Sequence, residues 1–373
     1  MSLDKMCPRV LVAPLDWGLG HATRCIPVIR ELIHAGFEVM LGTSGKSGTY
    51  LKDFFPELQC IDLPFLKIRY GTYHFFPWYI FQLFQFPFIA IREHFFLRRL
   101  NGKLRLDLII SDNRYGLCHQ DVYSVIITHQ LFIRLPAFLK PFQKMLWKIT
   151  GFMLSRFDEC WIPDLPDSAG SLSNELSHGK MTLKNYRYVG LLSRFAEAGS
   201  VKFLQHDKTC DLLVILSGPE PQRTIFENTI MNQTRDLNIK AIVFRGSSSA
   251  AAGFQVKGNI TLIDHPDDED FITYARQAEK IICRSGYSTI MDLISLKLRA
   301  LLVPTPGQTE QIYLARHLAA KNLFLHMPQK EFNMRDALSL LEKKQVTDYP
   351  DLKTDGSVIR ETVSQLMNTI NRL

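Results

Sequence analysis

Ile281, Ile282, Cys283, Arg284, Ser285, Gly286, Tyr287, Ser288, Thr289, Ile290, Met291, Asp292 and Leu293 follow one another without a break, and the fold is decided in this stretch. Ile281 to Cys283 read as the end of a buried strand, Gly286 gives the backbone the freedom to turn, and the hydroxyl residues after it open a helix. A strand running straight into a helix N-terminus is half of a β-α-β unit. The unpaired N–H groups and dipole of such a terminus favour negative charge, and Asp292 lies about one and a half turns further on. If the phosphates of a nucleotide sat over the terminus, that carboxylate would be placed for ribose hydroxyls.

The same pattern repeats downstream. Residues 300–304 form an apolar run, Pro306 and Gly307 break it, and Gln308, Thr309, Glu310 and Gln311 open another helix. Glu310 and Gln311 supply a carboxylate and an amide, groups suited to sugar hydroxyls. Working outward, strand patterns fall at 10–14, 38–43, 58–63, 106–112, 124–128 and 159–163. A second series falls at 211–217, 239–245, 260–264, 280–284, 300–304 and 323–326. Helical patterns lie between most of them, which predicts an α/β protein with parallel sheets. Two series of about six strands predict two doubly wound, Rossmann-like domains, with a ligand crevice beyond the carboxyl ends of the strands. The expected boundaries are 1–195 and 205–350, with an amphipathic helix at 356–373; residues 164–180 read as a loop.

The first strand runs into Asp16, Trp17, Gly18, Leu19, Gly20, His21 and a helix carrying Ile26, Val28, Ile29 and Leu32. Gly18 and Gly20 permit a sharp turn, and a first-turn His21 is suited to removing a proton from an acceptor hydroxyl. Asp112, Asn113, Arg114 and Tyr115 end another strand at the same expected edge and are candidate acceptor residues; as an alternative, Asp and Asn simply make a turn. The run Asp267, Asp268, Glu269, Asp270 follows Pro266 and precedes a helical pattern, so it reads as a helix cap. No metal site is expected.

Apolar residues make up 46% of the 373 and charged residues 22%, which excludes a disordered or fibrous chain. The seven cysteines are scattered singly, so neither a disulfide scaffold nor a zinc site fits, and a reducing cytoplasmic setting is expected. A net charge of +7 favours anionic partners, but no motif supports nucleic-acid binding. Between 65 and 100 aromatic residues crowd together with Lys67, Arg69, Arg92, Arg98 and Arg99. Pro77, Gln82, Gln85 and Pro87 interrupt the run, so it reads as helices on the sheet or as an aromatic, basic surface for lipid headgroups or a greasy acceptor.

Taken in order, the Arg-Ser-Gly stretch ending at Asp292 and the Gln-Thr-Glu-Gln stretch at 308–311 resemble the GT-B glycosyltransferases. The likeness is greatest to the MurG-like, family 28 group that moves N-acetylglucosamine from UDP to a lipid-linked acceptor. The resemblance implies two Rossmann-like domains facing a cleft, the first for the acceptor and the second for the nucleotide sugar, with the C-terminal helix returning to the first. It implies inversion, no cofactor, a nucleotide-sugar donor, a lipid-linked or other hydroxyl acceptor, and a cytoplasmic protein peripheral to the membrane. His21 takes the place of the family's first-loop histidine, while His129 and Gln130 match its His-Glu motif on the acceptor side, with Gly18 and Gly20. Donor residues by the same likeness are Arg284, Ser285, Gly286, Ser288, Thr289, Asp292, Gln308, Glu310 and Gln311, although relatives usually have Glu at the ribose position. Phe244 and Ile263 flank the expected base pocket. The family's Gly-rich diphosphate loop is here Ser217, Gly218, Pro219, Glu220, Pro221, Gln222 and Arg223, in which two prolines remove two N–H donors. A nucleotide-sugar 2-epimerase shares this architecture, and a silent nucleotide-sugar binder or membrane-associated assembly protein is the alternative outside enzymes.

Overall fold

The computed structural model describes residues 7–64, 75–167, 170–179, 183–196, 208–246, 253–343 and 354–372. The chain forms two compact units, one ending at Arg194 and regaining the chain at Gly356, the other beginning at Phe195. The first contains β1 (Arg9–Pro14), α1 (Leu19–His34), β2 (Glu38–Thr43), α2 (Gly45–Phe54), β3 (Gln59–Asp62), α3 (Phe75–Leu104), β4 (Leu108–Asp112), β5 (Tyr123–Ile127), α4 (Gln143–Leu154), β6 (Glu159–Ile162) and β7 (Tyr186–Tyr188). The second contains β8 (Cys210–Ile215), α5 (Gln222–Thr234), β9 (Ala241–Phe244), β10 (Phe254–Lys257), β11 (Ile260–Ile263), α6 (Asp268–Gln277), β12 (Ala278–Cys283), α7 (Tyr287–Ser295), β13 (Leu301–Leu302), α8 (Thr309–Ala320), β14 (Leu325–His326) and α9 (Met334–Lys343). The last helix, α10 (Ser357–Ile370), belongs to the first unit.

The first sheet has the order β3-β2-β1-β4-β5-β6-β7 and every pairing is parallel. The second has the order β10-β11-β9-β8-β12-β13-β14, parallel except for the β10–β11 hairpin. Each sheet starts at a central strand and is wound outward both ways, the doubly wound arrangement the alternating pattern predicts. Val10, Leu11, Val12 and Ala13 are wholly buried, as are Leu212, Leu213 and Val214. A central parallel strand is covered on both faces and therefore reads as a continuous apolar run.

Two elements lie outside the expected strands. The sequence marks no strand at β7, which has three residues, or at β10, all four of whose residues are exposed. The acidic run is a cap, as read: the Asp267 carboxylate accepts from the Asp270 N–H at 2.7 Å at the start of α6. Asp164 builds the loop after β6, accepting from the Leu172 and Ser173 N–H groups at 2.9 Å each and from Ser171 Oγ at 2.6 Å. The aromatic run is α3 from Phe75 onward; residues 65–74, and the side chains up to 86, lie outside the described residues. Among the described residues no helix is long and apolar enough to cross a membrane. On α10, the Arg360 guanidinium meets the buried Glu31 carboxylate of α1 at 3.2 Å, and Val358 packs over Gly190.

Arg114 corrects the sequence reading. Instead of serving an acceptor it is buried, donating from Nε to Glu93 Oε1 of α3 at 2.8 Å and to the carbonyls of Pro14 at 3.3 Å and Pro64 at 2.5 Å. The second Glu93 oxygen accepts from the Gly116 N–H at 3.2 Å. This ion pair ties α3 to the ends of β1 and β4 in the interior. Tyr115 likewise sits in the core, with Ile126, Leu154 and Phe157. Arg114→Ala strands the Glu93 carboxylate and lowers stability by about 3–5 kcal/mol, read from urea unfolding. A loss below about 1 kcal/mol would show that the pair does not hold α3 in place.

Candidate functional site

In the first sheet the winding direction reverses between β1 and β4, so the segments leaving their carboxyl ends diverge and open a concavity. Gly18 starts the segment after β1: its φ of +130° is one that side-chain-bearing residues rarely adopt, and it is the N-cap of α1. Gly20 and His21 follow in the first turn. Asp112 is the last residue of β4 and is wholly buried.

Arg24, one turn after His21 on the same helix face, closes on Asp112 with both ends of its fork, Nε to Oδ2 at 2.5 Å and Nη2 to Oδ1. The His21 ring places Nδ1 at 3.0 Å from Asp112 Oδ1. Burial by itself would raise the Asp112 pKa, but the Arg24 charge, then His21, outweigh it and hold the carboxyl well below the usual carboxylate range. The carboxylate is ionised. Nδ1 also lies 3.0 Å from Arg24 Nη2, so it donates to Asp112 in one tautomer and accepts from Arg24 in the other. In the tautomer that donates to Asp112, Nε2 is the basic nitrogen, and among the described residues it has no hydrogen-bond partner. Arg24 also donates from Nη1 to Nδ1 of the buried His129 at 3.3 Å, just past β5. Gln130 follows, its N–H on Thr128 Oγ1 at 3.1 Å, and Asn113 is half-buried at φ +55°.

His21, Asp112 and His129 are thus brought together as the sequence suggested. Arg24, which joins them, is missed by the sequence reading. Its signal is a charged residue three positions after His21 that sits inside an otherwise apolar helical stripe.

In the second sheet the reversal lies between β8 and β12. Three segments converge beyond the strand ends. A Cβ on Gly286 would stand 3.8 Å from both Ser217 Oγ and Thr289 Oγ1, and one on Gly218 3.6 Å from Thr305 Oγ1. Gly218 itself has φ +103°. Helix α7 begins here with Gly286 as its N-cap, which offers no side-chain acceptor to the first-turn N–H groups. Ser288 and Thr289 are half-buried in that turn, and Asp292 is 6% exposed on α7. Gln308 is the N-cap of α8, with Glu310 half-buried in its first turn, and Ile263 ends β11 half-buried.

Several residues read as donor contacts turn out to be scaffold. Arg284 is wholly buried: Nη1 donates to Gln329 Oε1 at 2.6 Å and to the Val303 carbonyl at 3.2 Å, Nη2 to the Gln222 carbonyl at 3.0 Å, and the guanidinium lies 4.2 Å over the Phe226 ring. Burial pulls its pKa down to about 9. Ser285, also buried, donates to the Gln311 carbonyl at 2.9 Å, and Gln311 Oε1 accepts from the Thr305 N–H at 2.9 Å. These bonds tie the loops after β12 and β13 together. Arg223 is held by Glu220, Glu227 at 3.0 Å and the Arg245 carbonyl at 3.2 Å. Phe244 packs in the core against Phe271, with ring centroids 5.4 Å apart. Among the described residues no group of three or more His, Cys, Asp or Glu could hold a metal ion.

Residues 229–361 match the model of the glycosyltransferase family 28 C-terminal domain. A protein of Methanosarcina acetivorans named as an uncharacterized glycosyltransferase is 22% identical over 322 residues, covering 81% of this chain and 79% of its own. A second, from Methanosarcina mazei and named likewise, is 19% identical over 331 residues, 81% of each chain. Among solved structures, a kitacinnamycin glycotransferase superposes with a TM-score of 0.61 at 12% identity, covering 98% of this chain and 99% of that one. Acinetobacter baumannii MurG gives 0.53 at 13%, covering 98% and 100%.

Arg24→Met leaves Asp112 charged, buried and without its guanidinium, and costs about 3–5 kcal/mol in chemical denaturation. Replacing both, Arg24→Met with Asp112→Leu, recovers most of that loss, because no buried charge then lacks a partner. A double variant no more stable than the single one would mean that the fork is not what neutralises this carboxylate.

Proposed function

We propose that the chain is a GT-B glycosyltransferase that moves a hexosyl or N-acetylhexosaminyl group from a nucleotide diphosphate sugar, UDP-linked by preference, to a hydroxyl of a lipid-linked acceptor with inversion; the match of residues 229–361 to the family 28 C-terminal domain supports this reading. The observation that carries this reading is the His21–Asp112 pair, a histidine with one nitrogen tied to a buried carboxylate and the other, beside a glycine turn, without a hydrogen-bond partner among the described residues.

In this reading the first unit binds the acceptor and the second the donor. The diphosphate lies at the α7 terminus against Ser217, Gly218, Gly286, Ser288 and Thr289, where the first-turn N–H groups and the helix dipole meet negative charge. Pro219 and Pro221 contribute no N–H, so the cradle draws more on α7 than on the loop after β8. Asp292 faces the ribose, Ile263 the base, and Gln308 and Glu310 the sugar hydroxyls. On the other unit, Gly18, Gly20, Asn113, His129 and Gln130 line the acceptor. His21 Nε2 takes the proton from the acceptor hydroxyl as its oxygen attacks the anomeric carbon. The bond from that carbon to the diphosphate oxygen breaks, and its electron pair leaves as negative charge on the nucleoside diphosphate, which the helix terminus stabilises. A single displacement inverts the anomeric centre.

Asp112 holds the ring in orientation through Nδ1. His21→Ala should therefore lower kcat by about 10²–10⁴-fold, with nucleotide affinity changed less than a few-fold in a thermal-shift titration. Asp112→Asn should lower kcat while leaving the nucleotide titration intact. Parent-like turnover by His21→Ala would overturn the catalytic assignment. A screen of nucleoside diphosphates and their sugars identifies the base, and conversion of UDP-N-acetylglucosamine with no acceptor present would favour a 2-epimerase.

A further inference from the structure

Helix α4 and the short turn before it present a stripe of large apolar side chains to solvent. Phe138, Phe142, Met145, Ile149 and Phe152 are each about half exposed or more, and Phe152 reaches 70%. From 142 on the spacing is 3, 4 and 3, which at 100° per residue gathers the four side chains within an arc of about 80°. The opposite face is the one that packs: Thr150 and Leu154 are buried, and Trp147 and Met153 lie against the core around Phe132, Phe157 and Ile162. The exposed stripe is thus extra to what holds the helix on the sheet. A run of this kind is costly in water unless something covers it.

The charges beside it identify the cover. Between residues 131 and 157 there are five basic residues, Arg134, Lys140, Lys144, Lys148 and Arg156, and no Asp or Glu. Arg134 is paired with Glu175, whereas Lys140, Lys144, Lys148 and Arg156 are exposed. Lys144 and Lys148 fall on one flank of the stripe by helical spacing. A second copy of this chain would bring the same lysines face to face. An anionic lipid surface accepts both parts at once, the rings and Met145 in the acyl boundary and the lysines among the headgroups.

A neighbouring element carries the same combination. On α3, Phe88, Ile91 and Phe95 are exposed at spacings of 3 and 4, with Arg92, Arg98 and Arg99 also exposed. The crossovers β3-α3-β4 and β5-α4-β6 both advance in the same direction along the sheet, so right-handed connection puts α3 and α4 on one face of it. His94 of α3 hydrogen-bonds the Cys118 carbonyl at 2.9 Å, and Cys118 belongs to the same core as Leu154 of α4.

We propose that the α4 face, residues 138–152, lies on an anionic phospholipid bilayer and docks the enzyme there by partial insertion of Phe142, Met145, Ile149 and Phe152. This names the surface that a lipid-borne acceptor requires, yet it is read out without any transfer reaction, so it stands or falls separately from the sugar-transfer assignment.

The test is co-sedimentation of the full chain with vesicles of phosphatidylcholine alone or of equal parts phosphatidylcholine and phosphatidylglycerol. The parent protein pellets with the mixed vesicles and at least about tenfold less with phosphatidylcholine alone or at high salt. Met145→Ser/Ile149→Ser/Phe152→Ser lowers partitioning at least about tenfold, and Lys144→Glu/Lys148→Glu does so on the mixed vesicles. Because all five side chains point to solvent, the thermal unfolding midpoint of both variants stays near that of the parent. A parent protein that remains in the supernatant overturns the proposal, as does binding that neither variant weakens. Self-association in sedimentation velocity that the serine variant abolishes, without vesicle binding by the parent, also overturns it and assigns the stripe to a second copy.

Discussion

A doubly wound parallel sheet must begin at an interior strand and leave it in both directions, and most of the chemistry in this protein follows from that constraint. Where the direction reverses, two adjacent strands send their following segments to opposite faces, and no loop covers the gap. In the first sheet the gap lies beyond β1 and β4 and in the second beyond β8 and β12. Glycine is needed at the edge of each, Gly18 in one and Gly218 in the other, because the chain turns there through positive φ. The buried strands below are rigid, so the groups placed at the gap are held with little freedom.

Each gap is underlain by a buried arginine, and the two arginines are neutralised by different means. Arg24 has a carboxylate, Asp112, and the pair contributes a fixed dipole that orients His21. Among the described residues Arg284 has no contact with a carboxylate; backbone carbonyls past a strand end, the Gln329 amide and the Phe226 ring take the place of water. Carbonyl dipoles stabilise a cation less fully than a carboxylate does, which accords with a pKa pulled down by burial. Arg284 therefore fastens the starts of α5 and the loop after β13 around the convergence of Ser217, Gly286 and Thr305 without itself reaching into it.

The sequence makes the architecture legible because fully buried parallel strands are unbroken apolar runs, and 10–14 and 211–217 could hardly be anything else. It fails where an element is short or exposed. Tyr186–Tyr188 is three residues long, and Phe254–Lys257 faces water on an edge, so neither has the apolar run that marks a central strand. At the site, residue types that follow a strand end were found, His21 and Asp112 among them. Which of them point inward was not legible. Arg114, Arg223 and Arg284 look alike as sequence, cations near a strand end or helix start, and all three are tied up in contacts, with Glu93, Glu227 and Gln329, that lie 21, 4 and 45 positions away along the chain. Arg24 was missed for the converse reason, since an arginine inside an apolar stripe reads as a surface residue until its carboxylate, 88 positions on, is brought beside it.

Chain geometry relates the first-unit cluster to the α4 face. His129 lies against Arg24, and the stripe begins nine residues later at Phe138, so the two are at most about 32 Å apart even with the chain fully extended. The intervening segment is anything but extended: Phe132 turns back into the core, and the Leu135 N–H reaches Gln143 Oε1 at 2.8 Å. The separation is therefore well inside that limit, about the thickness of one bilayer or less. An acceptor whose tail stays in the lipid beneath α4 needs only a headgroup of ordinary length to present its hydroxyl to His21. On the proposed reading, one unit then carries both the lipid contact and the base.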